Sequence, residues 1–177
     1  MKASINLDPQ FILFIACVVV FLSVTVGVII SMAVKIKNSN SNSSAKIVIA
    51  TVGSMFVAAL SWILNMGWLR LILTLLLVPI LHGVAFLVSN IVFAKYTNVS
   101  PRMSKLNLMF IVTYLALYIF MPDGGDVGEM YFLFNLIHND VLSYIAFIIS
   151  DLAFAGQILF FGMQIHEIRK IKKTQSE

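Results

Sequence analysis

Residues 71–94 read LILTLLLVPILHGVAFLVSNIVFA, 24 residues without a formally charged side chain. A hydrocarbon core of roughly 30 Å needs roughly 20 apolar residues at about 1.5 Å of helical rise each. An open sheet edge in lipid leaves backbone N–H and C=O groups unpaired at several kcal/mol apiece, so a segment of this kind crosses as a helix. Pro79 removes one backbone donor and predicts a kink. Thr74, Val78, His82, Ala85 and Ser89 recur at spacings of three and four, which predicts that this smaller, more polar face points into a bundle.

The rest of the chain repeats the pattern. Of 177 residues, 60% are hydrophobic and 11% charged, against about 25% charged in a soluble domain. The expected fold is all-α: an integral membrane helical bundle in a single domain, 1–177. Five spans are expected at about 11–34, 47–64, 71–94, 106–121 and 141–165. The fourth, 16 residues long, is expected to need flanking residues, local bilayer thinning or a shallow path. Asn65 to Arg70 turns the second span into the third, with Trp68 at the interface and Arg70 reaching the headgroups. Residues 122–140 read as an outer acidic loop followed by a short interfacial or re-entrant helix over 130–137. Residues 166–177 form a basic tail.

Charge placement sets the orientation. Segments 35–46, 95–105 and 166–177 carry ten of the twelve Lys and Arg residues, and the opposite side holds only Lys2 and Arg70. The positive-inside rule then predicts a multi-pass protein of the cell (cytoplasmic) membrane, N-terminus outside and C-terminus cytoplasmic. Basic residues confined to short segments beside apolar spans exclude nucleic acid as a partner. The lone cysteine, Cys17, has no second thiol in the chain to pair with.

Small residues line several helices. Ser23, Gly27 and Ser31 recur in the first span, Ala50, Ser54, Ala58, Ser61 and Asn65 in the second, and Ser143, Ala146, Ser150, Ala153 and Gln157 in the fifth. Such stripes let helices approach closely. The polar groups expected inside the bundle are His82, Asp151, Tyr114, Tyr118 and Asn65. Helical rise places Asp151 about 15 Å and His82 about 17 Å deep, near a common midplane. Facing one another, they would titrate as a unit and pass a proton or bind a polar solute. The competing expectation is that each satisfies a local backbone or side-chain partner.

Asp123, Asp126 and Glu129 are weak candidates for a divalent cation, because their spacing lacks the twelve-residue ligand pattern of a calcium loop. No phosphate-binding, dinucleotide-binding, nucleophile-elbow or zinc motif occurs. The sequence therefore names no catalytic residue, metal or cofactor and favours a non-enzymatic protein. The leading expectation is an accessory, assembly or immunity-type subunit that acts through helix contacts, with the bilayer and another membrane protein or a second copy as partners. A transport component using His82 and Asp151 is the first alternative and a lipid-modifying enzyme the second.

Overall fold

The computed structural model describes residues 42–124 and 130–176. They form helices α1 (Asn42–Leu64), α2 (Trp68–Leu75), α3 (Val78–Ala94), α4 (Pro101–Phe120) and α5 (Asp140–Ser176), with a two-stranded hairpin between α4 and α5. The expected first span, 11–34, lies outside the described residues. So do its stripe at Ser23, Gly27 and Ser31 and the cation candidates Asp126 and Glu129. Three helices are long and apolar enough to cross a membrane, within Ser44–Leu64, Pro101–Phe120 and Asp140–Gln175. The pair α2 and α3 makes a fourth if the two count as one span.

That pair is broken, not kinked. α2 and α3 meet at 69°, and Leu77 between them takes a left-handed backbone, φ 58. Pro79 stands in the first turn of α3, where its missing N–H costs nothing. In a continuous helix its ring would collide with the carbonyl of Leu75. The break also resets the helical face. The buried side of α3 is Gly83, Phe86, Asn90, Phe93 and Ala94, while Val78 and Ala85 of the expected face are exposed.

Three other boundaries differ from expectation. α4 starts at Pro101, after Ser100, whose Oγ accepts the amide of Met103 at 3.3 Å. Its 20 residues span about 30 Å, so no thinning is needed. α5 runs 37 residues, about 55 Å, so the basic tail continues the last helix. Residues 130–137 form no helix: Tyr131–Phe132 pairs antiparallel with Ile137–His138. The turn between them places Leu133, Phe134 and Asn135 at positive φ. Asp123 and Tyr131 exchange backbone hydrogen bonds of 2.9 and 2.8 Å, which tie the hairpin to the end of α4.

The largest interface is α4 against α5, followed by α1 against α4 and α1 against α3. Ser143, Ala146, Ser150, Ala153 and Gln157 are all buried. The stripe of α1 is buried from Ser54 to Asn65, whereas Ala50 is exposed. An aromatic core of Trp62, Phe86, Phe110, Tyr114 and Tyr118 fills the centre.

The left-handed Leu77 generates a stability test. A non-glycine residue there costs roughly 1–2 kcal/mol. Leu77→Gly is therefore expected to raise the unfolding midpoint in detergent by an amount of that order. A lowered midpoint would mean that this residue is not left-handed in the folded protein.

Candidate functional site: polar layers inside the bundle

The polar groups gather in layers. The first is a clamp at the α1–α2 turn. Gly67 precedes α2 and offers no side chain as a cap, so the cap comes from 56 residues away. Asp123 Oδ2 accepts the amides of Gly67 at 3.1 Å and Arg70 at 2.8 Å. Its Oδ1 accepts those of Leu69 at 3.1 Å and Gly124 at 2.8 Å. A carboxylate at a helix N-terminus satisfies orphan donors and meets the positive end of the dipole. The close approach requires glycine: a Cβ on Gly67 would lie 2.5 Å from both Asp123 Oδ1 and the Gly124 carbonyl oxygen.

Arg70 completes the clamp from inside. Its guanidinium donates to the carbonyls of Ser61 at 2.6 Å, Tyr118 at 3.2 Å and Met121. It lies 5.1 Å from the ring centre of Trp62, and its Nε is 4.0 Å from Asp123 Oδ2. Arg70 is 0% and Asp123 3% exposed. The expectation that Arg70 reaches the headgroups is thus corrected: the carbonyls at the end of α4 form a better-matched site than water at that depth. Asp123 is likewise no open cation ligand, since each oxygen already accepts two N–H groups. Among the described residues no cluster of His, Cys, Asp and Glu is placed to hold a metal.

Asn65 belongs to this layer. Its Nδ2 donates to Ser61 Oγ at 3.2 Å, and its Oδ1 accepts the amide of Asn135 at the tip of the hairpin. Tyr131 Oη donates to the Met66 carbonyl at 3.0 Å. Partial burial, reinforced by the negative charge of Asp123, raises the Tyr131 phenol above its ordinary pKa and keeps it a donor.

The second layer holds His82. Its Nδ1 lies 2.9 Å from Tyr118 Oη and its Nε2 2.8 Å from Gln157 Oε1. An amide oxygen only accepts, so Nε2 carries the hydrogen. In the neutral ring Nδ1 then accepts from Tyr118. Tyr114 packs beside them, its ring 5.4 Å from His82, 4.9 Å from Tyr118 and stacked 3.8 Å from Phe86. His82, Tyr114 and Tyr118 therefore meet inside the bundle.

Asp151 does not join them. It is exposed, and Gln157 holds the position expected for it. At 100° per residue Asp151 sits on the side of α5 away from the seam of Ser143, Ser150 and Gln157.

An aromatic layer follows, in which Phe86 and Phe110 lie 5.3 Å apart and Phe110 and Phe161 6.2 Å. On each of α3, α4 and α5 these residues fall between the His82 layer and a third polar layer of Asn90, Asn107 and Gln164, all 0% exposed. Gln164 Nε2 donates to Asn107 Oδ1 at 2.5 Å. A fourth layer closes the far end. Ser100 Oγ donates to Glu167 Oε1 at 2.8 Å, Arg102 lies 3.8 Å from Glu167, and Ser44 Oγ donates to the Ala94 carbonyl at 2.7 Å.

Sequence reasoning missed Arg70, Asn90, Gln164 and Glu167 as interior groups. One signal was available for α5: Ser143, Ser150, Gln157 and Gln164 recur every seven residues, the period of a helix seam. Comparison of the chain with protein-family models, with curated proteins and with solved structures yields no match.

The clamp gives two expected outcomes in detergent unfolding. Asp123→Ala leaves a buried guanidinium without its counter-charge and is expected to cost about 3–5 kcal/mol. Gly67→Ala forces the Asp123 segment outward and is expected to cost about 1–3 kcal/mol. Wild-type midpoints in both variants would remove the clamp from its structural role.

Proposed function

We propose that this protein is a small multi-pass membrane subunit that acts through helix contacts in a larger assembly. Five spans with the basic segments on the cytoplasmic side of the cell membrane fit the charge distribution. The observation that carries the reading is Asp151. It is exposed eleven residues into α5, about 16 Å along the axis. Around it on the same side are exposed Tyr144, Ile148 and Ile158, with Ala155, also exposed, at the intervening position. A carboxyl group facing lipid at mid-membrane costs roughly 2.5–3.5 kcal/mol. A helix laid along Tyr144, Ile148, Asp151, Ala155 and Ile158, carrying a cationic or hydrogen-bonding side chain at the same depth, removes that cost.

The steps of 4, 3, 4 and 3 along this face share the seven-residue period of the buried stripe of α5, Ser143, Ala146, Ser150, Ala153 and Gln157. α5 thereby offers two packing faces on opposite sides, one filled within the chain. The transport reading loses its acidic member with Asp151 outside the His82 cluster. The aromatic layer of Phe86, Phe110 and Phe161 also lies between that cluster and the next polar layer. An enzyme acting at the acidic loop would have to work without Asp123, whose oxygens are occupied by amides.

The test is gentle purification in nanodiscs followed by mass spectrometry of the intact assembly. The wild-type chain is expected to carry a stoichiometric membrane protein or a second copy. Asp151→Leu is expected to release it with the fold intact, and Asp151→Asn to retain part of it. A wild-type chain that comes alone, or an Asp151→Leu variant with an unchanged complement, would overturn the reading.

A further inference from the structure

On the same side of α5, two turns nearer the basic end, lies a groove of about 370 Å³. Arg102 and His166 stand at one end of it, and Ile158, Leu159, Gly162 and Met163 line the rest. Gly162 leaves the floor open: a Cβ there would meet nothing within 4 Å. Charge and apolarity are therefore separated along the groove.

Depth gives the two ends different surroundings. A hydrocarbon core of about 30 Å that begins near Val141 ends about 20 residues later, close to Phe161. Ile158 and Leu159 then sit among acyl chains, Gly162 at the boundary, and His166 among headgroups.

The charged end has capacity to spare. The Arg102 side chain is 59% exposed, and its contact with Glu167 is a long one of 3.8 Å through Nη1. Glu167 is itself engaged by Ser100. A guanidinium has five N–H donors in a fork that suits phosphate. Farther along α5, exposed Arg169 and Lys170 follow His166 at spacings of three and four, on the same side of the helix.

We propose that this groove binds one anionic phospholipid, its phosphate at Arg102 and His166 and one acyl chain along Gly162 towards Ile158. The apolar floor argues for a lipid and not a free phosphate, and the basic rim for an anionic headgroup and not a zwitterionic one. The proposal assumes that the chain spans a bilayer and needs no protein partner. Recovery in the soluble fraction would refute that assumption, separately from the outcomes below.

The experiment titrates the purified chain with phosphatidylglycerol or phosphatidylcholine of identical acyl chains and counts retained lipids by native mass spectrometry. One well-placed cation near the surface corresponds to a roughly fivefold preference for the anionic lipid. Arg102→Gln is expected to erase that preference. Gly162→Leu is expected to remove the retained lipid altogether, and the open space at this position lets the variant fold. Excess glycerol phosphate is expected not to compete. Equal retention of the two lipids, an unchanged preference in Arg102→Gln, unchanged retention in Gly162→Leu, or displacement by glycerol phosphate would each overturn the assignment.

Discussion

The pairing of Arg70 with Asp123 is the constraint on which one end of the bundle depends. Two opposite charges withdrawn from water are tolerated only when their hydrogen-bonding capacity is nearly filled. Here the carboxylate collects four amides, and the guanidinium collects three carbonyls and the face of an indole. The bonds join the tip of the α1–α2 turn to the last turn of α4 and the chain that leaves it. The hairpin then fastens onto the same cluster through Asn65 and Met66. None of its three residues at positive φ is glycine; Asn65 accepts the amide of Asn135, and the Ile119 carbonyl accepts that of Leu133.

Below the clamp, an aromatic layer separates the His82 layer from two further polar layers. Polar groups facing helices are retained in apolar surroundings when they find partners across the interface. His82 binds α4 to α5 through Tyr118 and Gln157, Asn107 binds them again through Gln164, and Ser100 once more through Glu167. These links recur along α4 and α5, the most extensively packed pair. The interior groups thus hold register along the bundle, and the side of α5 that turns away from it is exposed among the described residues.

The broken α2–α3 pair shows how a local steric rule changes a larger surface. Pro79 ends one helix and begins another, and the new helix buries Phe86 and Asn90 where the sequence spacing predicted Val78 and Ala85. Trp62 follows the break by donating to Thr74 Oγ1 at 2.9 Å. His82 sits one turn past the proline, so the position of its ring is a consequence of the interrupted helix.

Much of this was legible in the residues. Uninterrupted apolar length is a local property, and it announces membrane-crossing helices without any knowledge of neighbours. The stripe of Ser143, Ala146, Ser150, Ala153 and Gln157 is visible because helical periodicity is also local. His82, Tyr114, Tyr118 and Asn65 were recognisable as polar groups within apolar spans, but depth alone paired His82 with Asp151, and the fold gives it Tyr118 and Gln157 instead. Pairing was not legible, because it depends on the rotation of one helix against another. A one-residue offset on α5 turns a side chain by 100°, which separates Asp151 from the interior that Ser150 faces. Asp123 looked like one acid of a solvated loop until the fold brought it against the amides of a helix start far away in sequence. Arg70 looked like an interfacial anchor until the carbonyls of Ser61, Tyr118 and Met121 closed around it. Chain composition establishes the solvent each helix is built for, and only the tertiary arrangement assigns each buried polar group its partner.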